Sequence, residues 1–181
     1  MAITIRRAAP ADAAGLHELA ARTFGLATPP GTHPADIEAF VAEHLAQASF
    51  EGYLADPSRI VLQAEDAGAV VGYSMLVGGP IRDPGVAAVV GAATAGTATA
   101  IELSKFYVAA ENHGSGVAAA LLTATLAAAA ATGARLCWLG VNQRKERAAR
   151  FYAKHGFEII GTKRFLVGAV WHDDHVRARP I

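Results

Sequence analysis

The chain has 181 residues, 16 of them basic and 16 acidic, so its formal net charge is zero, and 52% of its residues are hydrophobic. That length suits one domain burying roughly 70% of the surface its unfolded form exposes. The cancelled charge excludes a broad basic field for nucleic acid and an acidic tail. Cys137 is the single cysteine, which excludes an internal disulfide or a zinc site of paired cysteines. Within the run Arg135-Leu136-Cys137-Trp138-Leu139 it reads as a small buried hydrophobe.

At the start, Met1-Ala2-Ile3-Thr4-Ile5-Arg6-Arg7 has charges directly after the apolar residues and does not read as a secretory signal, so the cytoplasm is expected. Ile3 to Arg6 alternates as a short strand. Pro10-Ala11-Asp12 opens a helix with Leu16, Leu19, Ala20, Thr23 and Phe24 on one face, and Pro29-Pro30-Gly31 ends that unit. A second helix starts near Pro34 and carries Ile37, Phe40, Val41, His44 and Leu45 at three-four spacing; Asp56-Pro57 is a turn. Residues 60–64 and 69–77 flank Glu65-Asp66-Ala67-Gly68 as an antiparallel hairpin. The stretch from Gly79 to Ala100, glycine-rich and uncharged from Gly85 to Thr99, predicts a mobile loop near the functional site rather than part of the sheet.

Ile101 to Val108 is a strand, and period two places Glu102, Ser104, Phe106 and Val108 on one face, unless a bulge intervenes. A helix from Gly116 to Thr132 leads to a strand from Arg135 to Val141, a right-handed crossover if the two strands are parallel. The uncharged run Gly114 to Ala134 is mostly alanine with three leucines, which fits a packed soluble helix better than a membrane span. A shorter helix from Lys145 to His155 stops at Gly156. Phe157 to Gly161 and Phe165 to Gly168 add strand material, and Trp171 to Arg179 is expected to pair at an edge. The whole reads as an α/β domain over residues 1–181, with helices flanking a mixed, mostly antiparallel sheet.

His113-Gly114-Ser115-Gly116-Val117-Ala118 lies between the Val108 strand and the alanine helix. Glycines there let backbone approach a ligand, and first-turn amides with the positive end of the helix dipole make an anion site of the kind a diphosphate occupies. Downstream stand Leu139-Gly140-Val141-Asn142 and Arg147-Ala148-Ala149-Arg150-Phe151-Tyr152-Ala153-Lys154-His155-Gly156-Phe157. The order and spacing of these pieces resemble the GCN5-related N-acetyltransferase (GNAT) family. The family's loop reads Arg/Gln-x-x-Gly-x-Gly/Ala, matched in register by His113, Gly116 and Ala118, with His113 replacing the usual first residue.

The resemblance implies transfer of acetyl from acetyl-CoA to an amine, with no metal, in a cleft where two neighbouring parallel strands splay. It implies a diphosphate on the amides of Gly114, Ser115, Gly116, Val117 and Ala118, and pantetheine paired to the backbone of Phe106 and Val108. A backbone N–H near Val108 polarises the thioester carbonyl. Tyr107, Asn142 and Lys145 complete the expected cofactor set, Lys145 standing where the family commonly has asparagine. The family places at Tyr152 the acid that protonates the departing thiolate. Glu102, a carboxylate in an otherwise apolar strand, is the candidate base, or else a charge facing solvent.

His172-Asp173-Asp174-His175 alternates on a strand, so its four side chains cannot share one metal. Gly161-Thr162-Lys163-Arg164-Phe165 with Asp173, Asp174 and Arg177 resembles a bacterial branch in which some members acetylate polyamines. Glu38, Glu43, Glu102 and Glu111 are the candidate counter-charges for such an acceptor. The expected partners are thus a small-molecule amine and, for assembly, a second copy of the chain, with neither nucleic acid nor membrane. A non-catalytic acetyl-CoA-binding regulatory module and a protein or peptide N-acetyltransferase remain alternatives. A Rossmann-type domain is disfavoured, because Ala119 takes the sixth position of the glycine pattern and no acidic residue follows near the required spacing.

Overall fold

The computed structural model describes residues 3–28, 31–96 and 99–181. In chain order the elements are β1 (Thr4–Arg7), α1 (Ala13–Ala27), α2 (Pro34–His44), α3 (Gln47–Ala55), β2 (Arg59–Asp66), β3 (Ala69–Val77), α4 (Pro84–Ala93), β4 (Ala100–Val108), α5 (Val117–Ala131), β5 (Leu136–Asn142), α6 (Glu146–Lys154), β6 (Glu158–Val167) and β7 (Val170–Pro180). The strands form one seven-stranded sheet in the order β1-β2-β3-β4-β5-β7-β6. Only β4 and β5 run parallel; every other neighbouring pair is antiparallel. The mixed α/β fold expected from the sequence is therefore present.

Between β2 and β3 the chain turns through Ala67 and Gly68, both at positive φ (49° and 83°), as a two-residue hairpin of this twist requires. Across the sheet, α1, α2 and α3 bury Phe24, Phe50, Tyr73 and Met75 on one face, while α5 packs Leu121, Leu122 and Ala129 on the other. Ser74 and Thr125 join β3 to α5 by a buried hydroxyl–hydroxyl hydrogen bond of 2.7 Å. No helix among the described residues is long and apolar enough to cross a membrane.

Four expectations need correction. The stretch 79–100 is not a loop: residues 84–93 form α4, and Ala100 begins β4. Asp83 caps α4 by accepting from the amides of Gly85 and Val86, and Pro84 occupies the first turn, where its missing N–H costs nothing. Val86 and Val90, one turn apart, then bury against Leu136, Trp138, Val176 and Ala178, so packing overrides the poor propensity of the glycines. Thr97 and Ala98 of that stretch lie outside the described residues.

The second correction concerns Trp171 to Arg179, which is not an edge: β7 lies between β5 and β6, and β6 is the outer strand. Third, β4 does carry a bulge. Met75 pairs with Lys105 but Leu76 with Leu103, leaving Ser104 as the extra residue. The alternation reverses there, so Ile101 and Leu103 face α5 together with Phe106 and Val108, and Glu102 shares the opposite face with Lys105 and Tyr107. Last, α3 had no counterpart in the sequence reading, although Phe50, Tyr53 and Leu54 repeat at helical spacing and pack against α1.

Candidate active site

Parallel pairing of β4 with β5 ends after Ala100 to Glu102 meet Leu136 to Trp138. Beyond that point the strands part, and a cleft of about 650 Å³ opens through the sheet. Because β4 is bulged, Glu102 looks out on the α1–α2 face, while Tyr152 approaches from the α5–α6 face among Leu103, Leu139 and Phe157. The two residues with candidate proton-transfer roles thus stand on opposite sides of one opening.

On the α5–α6 side, Gly114 and Gly116 sit at φ 83° and 90°, backbone that L side chains rarely adopt. No heavy atom lies within 4 Å of the position a Cβ would take at either, so the backbone is bare towards open space. Among the described residues, the amides of Gly114, Gly116, Ala118 and Ala119 meet no protein acceptor. Open space beside unpaired donors at a helix start fits an anionic diphosphate. His113 Nε2 donates to the carbonyl of Val108 at 3.0 Å, which leaves Nδ1 to accept from Arg147 Nη1 at 2.9 Å. The imidazole therefore ties the end of β4 to α6 and holds Arg147 beside the cradle. Of this run, His113 and Ala118 line the cleft.

Tyr152 is held by a turn that ends α6 with Gly156 at φ 81°: Phe157 N–H donates to Tyr152 O and Gly156 N–H to Ala153 O, each at 3.0 Å. Its ring packs edge-on to Phe151, Phe157 and Phe106. Burial holds the phenol well above its ordinary value, so it stays protonated, and the hydroxyl has no protein partner among the described residues.

Across the opening, burial raises the Glu102 carboxyl, with Lys163, Lys105 and Arg59 pulling it back. Lys105 is itself lowered to about 8 by burial, with Arg59 adding to the effect and Glu102 opposing it. Lys163 reaches this chamber because Gly140 has no side chain; a Cβ there would collide with Lys163 Cε and lie 3.4 Å from Asp174 Oδ2. Asp174 is only 7% exposed, is raised by burial, and accepts from Asn142 Nδ2 at 3.4 Å. Phe24, Leu26, Phe40 and Phe165 complete this side of the cleft. Lys145 Nζ donates to the carbonyl of Leu26 at 3.0 Å, so the cation in the asparagine position ties the α1 end to the mouth of the cleft.

The structure gathers Glu102, Phe106, Tyr107, Val108, His113, Ala118, Asn142, Lys145 and Tyr152 around one opening. It does not bring in Glu38, Glu43 or Glu111. Glu111 pairs with Arg22 at 3.4 Å and Glu43 with its neighbour His44 at 3.7 Å, both exposed. Cys137 is buried, its thiol pushed up to about 12 by desolvation. Among the described residues no group of three or more His, Cys, Asp or Glu is arranged to hold a metal. Sequence reasoning passed over Phe24, Phe40, Arg144 and the pairing of Lys163 with Asp174. The one available signal was Gly140, quoted within a motif and unexplained until Lys163 is seen lying across it.

A sheet parted between its parallel strands, with an anion cradle at the following helix, defines the GNAT type of acyltransferase fold. The comparisons agree. A model of the acetyltransferase (GNAT) domain matches residues 57–159. N-acetyltransferases of Mycobacterium bovis and Mycobacterium tuberculosis, themselves described as uncharacterised, are 45% identical over 170 residues, 94% of this chain and 98% of theirs. Among solved structures, a PaiA N-acetyltransferase from Thermoplasma acidophilum in complex with coenzyme A shares the fold at a TM-score of 0.78 and 18% identity, covering 100% of both chains. A GCN5-related N-acetyltransferase from Rhodopseudomonas palustris does so at 0.72 and 18%, covering 100% of this chain and 97% of that one. The chain belongs to the GNAT acetyltransferase family, an acyltransferase with acetyl-CoA as cosubstrate.

Proposed function

We propose that residues 1–181 work as one N-acetyltransferase domain that moves acetyl from acetyl-CoA to the primary amine of a small molecule. The observation that carries this reading is the placement of Glu102 and Tyr152 on opposite faces of the β4–β5 opening. Acetyl-CoA supplies the activated acetyl thioester. The unpaired amides of Gly114, Gly116 and Ala118 receive its diphosphate, with Arg147 alongside. Past Glu102, β4 has no β5 partner among the described residues, so the backbone of Phe106 and the N–H of Val108, whose carbonyl His113 already holds, can pair with pantetheine, while Tyr107, Asn142 and Lys145 line the same cleft. A backbone N–H near Val108 polarises the acetyl carbonyl where negative charge develops.

An alkylammonium is neutral in only about one part in a thousand at physiological pH, so a proton must leave before nitrogen attacks. Glu102 accepts that proton, directly or through one water. As the nitrogen–carbon bond forms and the carbon–sulfur bond breaks, Tyr152 donates its phenol proton to the departing sulfur, and the second proton shed by the nitrogen on forming the amide returns through water to the phenolate, leaving Glu102 to release the first to solvent. Burial, which keeps the phenol protonated, suits it to donate rather than accept.

Polyamines are the acceptors the sequence suggests first, and of the four glutamates named as counter-charges Glu102 alone lines the cleft. The test is a CoA-release screen over amines, amino acids and peptide N-termini, with acetyl-CoA binding measured in parallel by calorimetry. CoA release with at least one free amine is expected. Tight acetyl-CoA binding without release on any acceptor would leave a regulatory module, and release on peptides alone would leave a peptide acetyltransferase.

A further inference from the structure

Resting on the reading that the chain acetylates an amine whose proton Glu102 takes, which puts the acceptor on the α1–α2 side of the cleft, we propose that this acceptor is a monoamine with an apolar alkyl or aryl body. Its ammonium is seated by Glu102 and Asp174, and its body lies on Leu26, Phe40 and Phe165.

The pattern of the sheet produces this division. Lys163 pairs with Asp174, which pairs with Asn142, giving a polar row across β6, β7 and β5. Two residues further out, Phe165 pairs with His172 on the same face. Above them, α1 and α2 supply Phe24, Leu26 and Phe40. Phe24 and Phe40 stack at 4.3 Å, and Phe165 meets Phe40 edge-on at 5.9 Å. The chamber is therefore polar at its floor and apolar at its outer wall. Leu26 and Phe165 are 56% and 37% exposed, large apolar side chains open inside the cleft they line. An apolar body covering them removes that surface from water.

The charges argue against a polycation. Glu102 and Asp174 are the buried carboxylates of the cleft, and Lys163 acts on both as a competing cation, with Lys105 also acting on Glu102; the third carboxylate on the lining, Glu146, is exposed and pairs with Arg150 at 3.2 Å. That leaves one ammonium position. A second ammonium four carbons out meets the aromatic wall, where a charge loses water without gaining a counter-ion. Cation–π attraction compensates only in part, because Phe24 and Phe40 each spend one face on the other, which leaves Phe165 as the exposed ring of the wall.

The test compares 2-phenylethylamine and hexylamine with putrescine and spermidine, in wild type and in F165S, by CoA release. The monoamines are expected to show kcat/KM at least about tenfold above the polyamines, and F165S to raise the phenylethylamine KM about tenfold with the acetyl-CoA KM unmoved. Spermidine matching or exceeding the monoamines, or an unmoved phenylethylamine KM in F165S, overturns the proposal and leaves acetyl transfer standing. If no amine is turned over, the acetyltransferase reading fails instead. Calorimetry on the CoA-loaded protein then decides the acceptor class: phenylethylamine bound and spermidine unbound supports it, and any other result overturns it.

Discussion

The two sides of the β4–β5 opening are built by different means. The donor side comes from one run of chain, residues 100–155, and works largely through backbone: unpaired amides at α5, an unpartnered edge of β4, and glycines at positive φ. The acceptor side is assembled from side chains of α1, α2, β4, β5, β6 and β7, with Phe24 and Asp174 at its extremes in sequence. A backbone-built site restricts residue type at fixed local spacing, while a side-chain-built one needs only that distant residues converge. A damaging change on the donor side should therefore abolish cofactor use, and one on the acceptor side should redirect or weaken the reaction.

The most complete loss of cofactor binding is expected at Gly116. Glu at φ 90° is strained, and its carboxylate would face the anion the cradle is shaped for. Gly116→Glu should weaken acetyl-CoA binding by roughly 100-fold or more, read by calorimetry, with the far-ultraviolet dichroism of the folded protein preserved. Wild-type affinity in that variant would remove the donor side from the comparison. Tyr152→Phe comes next: a lost proton donor should lower kcat by roughly 10² to 10⁴ while cofactor affinity holds. Unchanged turnover would return Tyr152 to the core formed with Phe106, Phe151 and Phe157.

This asymmetry also explains what was legible beforehand. The glycine turn, the crossover from β4 to β5, and Tyr152 ahead of Gly156 are local patterns, and the structure reproduces each. Glu102 was noticed as a charge in an apolar strand, yet its face was assigned by simple alternation, which the Ser104 bulge reverses. α4 was missed because glycine and threonine content argued against a helix, while the partners that Val86 and Val90 bury against, Leu136, Trp138, Val176 and Ala178, lie on strands 46 to 92 residues away. Asp174 was weighed as a metal ligand and as part of the branch resemblance, without a place in the cleft. Its true neighbours, Lys163 and Asn142, are set by the placement of β7 between β5 and β6, which no short-range pattern specifies.

Intermediate effects are expected at the charged floor of the acceptor side. Glu102 acts as a base only when ionised, so activity should fall as pH drops through its pKa, which burial places above the ordinary carboxylate value. Glu102→Gln should remove that acid limb and cut kcat/KM by roughly 10². Lys163→Met takes away the strongest of the charges opposing the shift, so the acid limb should move to higher pH with acetyl-CoA affinity unchanged. Gly140→Ala should act in the same direction, because its Cβ displaces Lys163 from the space it occupies. A pH profile unmoved by both variants would detach Lys163 from Glu102.

The smallest effect expected tests the boundary itself. Lys145 belongs by sequence to the donor run, yet its ammonium donates to the carbonyl of Leu26, part of the acceptor wall. A hydrogen bond of this kind contributes on the order of 1 kcal/mol net, which corresponds to a few-fold change in an equilibrium constant. If Lys145 serves to hold the end of α1 in place, Lys145→Met should raise the acceptor KM a few-fold and leave the acetyl-CoA Kd alone. If it contacts pantetheine instead, as its place in the family motif implies, the acetyl-CoA Kd should weaken and the acceptor KM hold. Measuring both constants on one variant thus assigns Lys145 to a side, and it also tells whether the two sides can vary independently. Joint movement of the two constants would mean that α1 is ordered by the same contact that helps to grip the cofactor, so that acceptor and donor binding are coupled through Leu26.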